Sequence, residues 1–255
     1  MKELGNLNKK SLELLIHLDD FSKNEELLQN HFSKKLPYYE NEFRIRHKNK
    51  NWIWVSSHGE VLKWSENGKP LLMFGIQLDI TEKKKVEERI LEASIRDPLT
   101  NLYNRRYIFD RLNTMKSKYE RQREIFSIAI LDLDFFKNVN DNYGHVAGDF
   151  ILQEFSKILN NRFRTFDLIG RYGGEEFIVV MASCTKEIAL KRIEGILEEI
   201  RGREFIYEKS KIKITFSCGI ADSEEFENII LDKFIDLADQ KLYKAKKLGR
   251  NMVIC

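Results

Sequence analysis

The sequence predicts an α/β fold in two parts: a small antiparallel sheet within the first eighty or so residues, then a central sheet with helices packed on it. Three observations point there. Phe43 and Ile45 alternate with Arg44 and Arg46, the period-2 pattern of a half-buried strand. "FSIAILDLDFF", Phe126 to Phe136, is a near-continuous apolar run of the kind that forms a strand buried on both faces. The composition also shifts after residue 80, with Trp52, Trp54 and Trp64 all in the first part of the chain.

In the first part, "SLELLIHLDDFSKNEELLQNHF" is helical in pattern, with an expected break around Asp19-Asp20. A meander of strands follows, with Trp52 and Trp54 on one face of its second strand. Asn67-Gly68 is a strong hairpin signal before "LLMFGIQLD". "TEKKKVEERILEASIRDP" then spaces Val86, Ile90 and Ala93 at helical intervals and has no glycine or proline before Pro98. It reads as a connecting helix, either one strand of a short parallel coiled coil or a solvated single helix.

From Asp97 onward helical and strand patterns alternate. "YIFDRLNTMKSKYERQ" is amphipathic. Val146, Phe150, Ile151, Phe155, Ile158 and Leu159 fall at helical spacing, as do Ile188, Ile193, Ile196, Leu197 and Ile200. "LIGRYGGEEFIVVMA" reads as two strands around Gly173-Gly174, "KIKITFSCGIA" as one further strand, and the last helix runs from about Leu231 to a C-cap at Gly249. The whole is an α/β domain of about 160 residues, within the usual single-domain range.

With 42% hydrophobic and 33% charged residues, the 255-residue chain has an ordinary globular composition. Its net charge of +3 argues for neither nucleic acid nor a membrane surface as partner. Cys184, Cys218 and Cys255 are odd in number and too far apart for a metal-ligand motif, which fits a reducing compartment. No apolar run reaches the length of a membrane span and the N-terminus lacks a signal-peptide core, so a cytoplasmic location is expected.

The chemistry is concentrated in two acidic pairs. Asp132 and Asp134 end the buried strand two residues apart. An acid at the mouth of an apolar strand is costly unless solvated or paired with a cation. Without histidine or cysteine beside them, such carboxylates suit a hard ion like magnesium, but acids also end strands in plain solvent. Glu175-Glu176 at the mouth of another strand of the same domain favours the metal, and Gly173-Gly174 would let a ligand approach the backbone. Carboxylate clusters of this type hold metals that clamp phosphoryl transfer.

"DPLTNLYNRR" (Asp97 to Arg106), "DLDFFKNVNDNYGHVAGD" (Asp132 to Asp149), "GGEEF" (Gly173 to Phe177), "ITFSCGIA" and "LYKAKKLGRN" occur in the order found in the GGDEF family of diguanylate cyclases. The chain resembles that family from about Asp97 to its C-terminus. The resemblance implies a nucleotidyl-cyclase-like central sheet, mostly antiparallel, and condensation of two GTP into cyclic di-GMP with release of two pyrophosphates. It implies one GTP per domain, an active site assembled in a homodimer, and Mg2+ (or Mn2+) as cofactor.

Carried over residue by residue, Asp132, the Leu133 carbonyl and Glu175 hold metal. Glu175 also accepts the proton of the attacking 3′-hydroxyl, and Glu176 supports the metal site. Backbone amides near Phe135 and Phe136 cradle phosphates, with charge from Lys137, Lys246 and Arg250. The last two would also complement a helix dipole. Asn140 and Asp149 read the guanine edge, Gly174 leaves room for the base, and His145 is either a ligand contact or a packed side chain. The acid at Asp149 favours guanine over adenine. "RTFD" matches the family's RxxD product-inhibition motif, so Arg164 and Asp167 would bind cyclic di-GMP, the alternative being a surface ion pair.

"HLDDF", "YYENEFRIRHKNKNWIWV" and "MFGIQLDITEKKKVEE" resemble the second half of a PAS sensor domain. A PAS domain of usual size has roughly fifty more residues before this point, including two strands. A pocket lacking that wall argues against bound haem or flavin. Either Met1 is not the natural start or this part is a degenerate interaction module. The expected organisation is 1–82 partial PAS, 83–96 helical signalling linker and 97–255 GGDEF domain. The alternative to an active cyclase is a GGDEF-type domain that binds GTP or cyclic di-GMP without turnover.

Overall fold

The structure, a computed structural model, describes residues 15–255. The chain forms two compact units that divide between Leu91 and Glu92.

In the first unit helix α1 (Leu18–Phe32) packs on an antiparallel sheet of β1 (Tyr39–Arg46), β2 (Trp52–Trp64) and β3 (Pro70–Asp79), in the order β1-β2-β3. The expected break at Asp19-Asp20 is instead the first turn of α1, where acids favour the positive end of the helix dipole, and Asp20 is bound by the Arg44 guanidinium on β1. The part of the expected helix before Leu15 lies outside the described residues. Asn67-Gly68 makes the anticipated hairpin, with Gly68 at φ 72°. Ile16, Tyr39, Phe43 and Val55 form a small core, and a cavity of about 720 Å³ opens between α1 and the sheet.

Helix α2 (Thr81–Ile95) follows and buries none of its residues. The second unit is built on a six-stranded sheet in the order β11-β10-β5-β7-β6-β4, comprising β4 (Tyr103–Asn104), β5 (Phe126–Leu133), β6 (Leu168–Arg171), β7 (Glu176–Ala182), β10 (Phe216–Asp222) and β11 (Val253–Ile254). The three central pairings are antiparallel, and the two edge pairings, β10 with β11 and β4 with β6, are parallel.

Both faces of this sheet are covered, which explains the unbroken apolar run of β5. On one side lie α3 (Arg105–Gln122) and α7 (Leu231–Lys247), meeting Ile128, Ile130, Ile178 and Val180. On the other lie α4 (Phe136–Tyr143), α5 (His145–Arg162) and α6 (Lys186–Gly202), meeting Ala129, Leu131, Phe177 and Val179. The single strand expected over "KIKITFSCGIA" is two: β9 (Ser210–Ile212) pairs with β8 (Phe205–Tyr207) in a separate hairpin, and β10 starts at Phe216. Among the described residues no helix is long and apolar enough to cross a membrane.

One buried side chain joins helix to sheet in the first unit. The Nδ1 of His31 lies 3.0 Å from the Leu36 carbonyl, and the Val61 N–H donates to Nε2 at 3.1 Å. The ring satisfies two backbone groups at once, as a donor at Nδ1 and an acceptor at Nε2. Substituting His31→Ala strands both, at about 2 kcal/mol. Urea unfolding of the whole chain should show the loss in the transition that reports Trp52, Trp54 and Trp64, with the other transition unmoved.

Candidate active site

The register of β5 with β7 places Asp132 directly opposite Glu176. Both lie on the α3/α7 side of the sheet, and Glu175 occupies the turn just before β7, its carbonyl accepting from the Leu133 N–H at 3.3 Å. Like charges directly opposite on neighbouring strands repel. Burial pushes the Asp132 carboxyl above the usual carboxylate range, Lys246 opposes that shift, and the Glu175 and Asp134 charges add to it. Burial also raises Glu176, with the Asp132 charge next in weight.

Lys246, in the last turn of α7, places Nζ 2.7 Å from the Asp132 carboxylate. The helix comes this close because β10 has Gly219 beneath it: a Cβ there would overlap the backbone of Ala238 and Leu242. Lys246 therefore meets the acids as well as the end of its own helix.

Next to Leu133 the chain turns sharply. Phe135 is left-handed (φ 56°, ψ 27°) and starts α4, its ring exposed and the Arg250 guanidinium 4.7 Å from the ring centre. Phe136 is buried under α4, and Lys137 is exposed. Asn140 packs against Gly148, where a Cβ would overlap the amide oxygen. Asp149 and His145 are exposed on the first turns of α5, so His145 is not a packed core side chain. Gly174 has open space where a side chain would stand, and neither glycine of the turn has a positive φ. At Gly173 a Cβ would instead meet the Glu176 carboxylate at 2.7 Å.

Asp134 differs from Asp132. Its carboxylate is buried and accepts from Thr215 Oγ1 and Ser217 Oγ, both at 2.7 Å, and from the Asn251 N–H at 2.9 Å. Arg164 and Asp167 do not form an ion pair with each other. The Asp167 carboxylate is buried, accepting from the Arg164 backbone N–H at 3.1 Å and facing the Arg192 guanidinium at 3.4 Å, while its other oxygen has no partner. Arg164 itself is exposed, its guanidinium 5.6 Å from the Phe166 ring centre.

Two arginines escaped the sequence reading. Arg192 reaches Asp167 from a helix 25 residues further along, a pairing that local pattern cannot show. Arg171 donates to the Gly174 carbonyl at 2.8 and 3.1 Å and to Asp97 at 3.2 Å, tying the start of the domain to the glycine turn. Burial is the largest influence on Asp97, pushing its carboxyl up. Two hydrogen bonds from Thr100 and the Arg171 charge outweigh it and leave Asp97 below the usual range.

Among the described residues no three His, Cys, Asp or Glu side chains converge closely enough for a ready-made metal cage. The donor set nevertheless fits magnesium, which binds through one or two carboxylates and completes its shell with water and substrate phosphates. Crowded carboxylates held against their preferred charge state are also what a divalent cation relieves.

Residues 94–252 match the family described as diguanylate cyclase, GGDEF domain, and residues 3–77 match the PAS fold. Diguanylate cyclase A of Treponema denticola is 37% identical over 169 residues, covering 65% of this chain and 45% of that protein. The response regulator PleD of Caulobacter vibrioides is 35% identical over 166 residues, covering 64% and 36%. Among solved structures, the coiled coil and GGDEF domain of DgcB from Caulobacter crescentus in complex with c-di-GMP superposes with a TM-score of 0.65 at 26% identity, covering 69% of this chain and 93% of that one. The chain belongs to the GGDEF domain family of diguanylate cyclases. It spans less than half the length of these two curated relatives.

Because the folded-state carboxyl of Glu176 is raised, its ionisation costs stability as pH climbs from the ordinary carboxylate value through the folded one. Glu176→Gln is expected to raise the melting temperature at neutral pH by about 1–3 °C. The gain should vanish below the ordinary carboxylate range, where both forms are neutral, and a melting series from acid to neutral pH without divalent metal checks it.

Proposed function

We propose that the protein is a metal-dependent diguanylate cyclase whose active site is completed by a second copy of the chain. The observation that supports this most is Asp132 opposite Glu176, with Lys246 on Asp132, Glu175 in the turn before β7, and Arg250 over the ring of Phe135 in the turn after β5. Carboxylates for a cation and cations for phosphates lie at one end of the central strands, with open space over Gly174 for a base.

In this reading each of two GTP molecules attacks the other. The 3′-hydroxyl oxygen of one bonds to the α-phosphorus of its partner, and the bond from that phosphorus to the β-phosphate bridging oxygen breaks, releasing pyrophosphate. Two such steps close the ring of cyclic di-GMP. Glu175 takes the hydroxyl proton, and Glu176 keeps the negative field at the site. Phe135 and Phe136 amides, Lys137, Lys246 and Arg250 hold the triphosphate. Asn140 and Asp149 pair with the guanine edge, Gly174 gives the base clearance, and His145 stands at the rim. Asp132, the Leu133 carbonyl and Glu175 would hold Mg2+ or Mn2+, which when bound neutralises charge developing on the phosphoryl oxygens.

A single domain presents one nucleotide site, so the reaction requires a homodimer. The domain organisation that fits is 1–82, 83–96 and 97–255, with the helical segment setting how two cyclase domains meet. Cyclic di-GMP would act back through Arg164, with Asp167 holding the turn and Arg192 beside it, as a product-inhibition site. A cytoplasmic location supplies GTP.

Purified full-length chain given GTP and Mg2+ should release two pyrophosphates per cyclic di-GMP, at a rate that rises more than linearly with chain concentration where dimers are scarce. Tight GTP binding with no pyrophosphate would make the chain a binding regulator instead. With GTP and ATP supplied together, the wild type should yield cyclic di-GMP. Asp149→Ser should lower the preference for guanine by roughly tenfold or more, as expected when a hydrogen-bonded edge loses its partner. Mass analysis of the products distinguishes these results.

A further inference from the structure

Asp134 ends the same buried run as Asp132, and its position suggests a second metal carboxylate. Its surroundings say otherwise. The side chain is buried among neutral donors: Thr215 Oγ1, Ser217 Oγ and the Asn251 N–H occupy both its oxygens. Its own N–H donates to the Thr215 carbonyl at 2.9 Å, so it is fixed from backbone and side chain together.

What it grips is an unusual piece of backbone. After α7 the chain passes through Gly249 (φ 122°), Arg250 (φ 63°) and Asn251 (φ 52°), three positive φ angles in a row. Two of these residues carry side chains, which disfavour that conformation. Such a segment persists only when its neighbours over-determine it. Asn251 is held by three hydrogen bonds: its N–H donates to Asp134, its side-chain oxygen accepts from Arg201 Nε at 2.7 Å, and its carbonyl accepts from the same guanidinium.

Asp134 is covalently next to Phe135, and Asn251 is covalently next to Arg250. The hydrogen bond from Asn251 to Asp134 therefore fixes two neighbours against each other, and Arg250 lies over the Phe135 ring as a result. We propose that Asp134 is a positioning residue for nucleotide binding: it locks the C-terminal turn onto the Phe135 turn, so that Arg250 is held in place over the phosphate site. This rests on the reading of the site as a GTP site. It gives Asp134 no part in metal binding, and its effect on nucleotide must pass through Arg250.

A double-mutant cycle tests that route, because residues acting through one another are non-additive. The full chain with Mg2+ is titrated calorimetrically with a GTP analogue that cannot release pyrophosphate, and melting curves establish that each variant is folded. Asp134→Ala is expected to weaken binding roughly tenfold in the wild-type background, the factor for losing about one well-placed contact. In an Arg250→Ala background the same change should cost less than about twofold. Asp134→Asn, which keeps the shape and an acceptor, should recover most of the loss. Should Asp134→Ala not fold, Thr215→Val deletes one of the three bonds and enters the same cycle, with roughly threefold expected.

Equal losses in both backgrounds, or no loss in the first, would overturn the proposal. A wild-type chain that does not bind the analogue removes the nucleotide reading and this role with it. Binding by the wild type with additive losses removes the role of Asp134 alone.

Discussion

The second unit depends on one pairing: Asp132 opposite Glu176, on two strands with buried cores. The register is not free to change. Ile128 and Ile130 pack towards α3 and α7 while Ala129 and Leu131 pack the other way, and a slip by one residue would turn every side chain to the wrong layer. The core thus forces two carboxylates together at one end of the two central strands. Burial raises both, neighbouring negative charge adds to it, and Lys246 opposes it from the last turn of α7, paired with Asp132. The arrangement costs stability at a place where a cation and a triphosphate would restore it.

The rest of the arrangement follows from getting cationic groups to that end of the strands. Gly219 lets α7 lie against β10, which delivers Lys246. Gly249 ends the helix in a run of left-handed residues that returns Arg250 across the Phe135 ring. Arg171 fixes the glycine turn by its Gly174 carbonyl and anchors it to Asp97, 74 residues earlier in the chain. A close helix–strand approach, a left-handed turn and an arginine clamp together pre-organise what loops alone would leave loose.

Much of this was legible in the sequence because it is local. The apolar run of β5, the strands either side of Gly173-Gly174 and the Asn67-Gly68 hairpin rest on periodicity and turn chemistry, and the structure has each of them, while the last helix is capped at Leu248, one residue before the expected Gly249. The acidic pairs stood out as a candidate site because charged residues at strand mouths need a reason. What stayed hidden depends on tertiary contacts. Thr215 lies where the expected long strand breaks, since β9 pairs with β8 in a hairpin of its own. Asp134 sits in the same pattern as Asp132 and differs only because hydroxyls on and beside β10 are waiting for it. Asp167 matches a motif shared with a binding site, yet Arg192 on another element decides where its carboxylate faces. Asp19-Asp20 suggested a helix break by propensity, and Arg44 on β1 holds the pair within the first turn of α1.

The most direct test of the account is a crystal structure of the full chain with Mn2+ and a GTP analogue that cannot release pyrophosphate, the metal located by its anomalous scattering. The account predicts metal about 2.0–2.3 Å from carboxylate oxygens of Asp132 and Glu175. It also predicts that Lys246 has left Asp132 for the phosphates. Metal bound elsewhere, or an intact Lys246–Asp132 ion pair beside bound nucleotide, would contradict it.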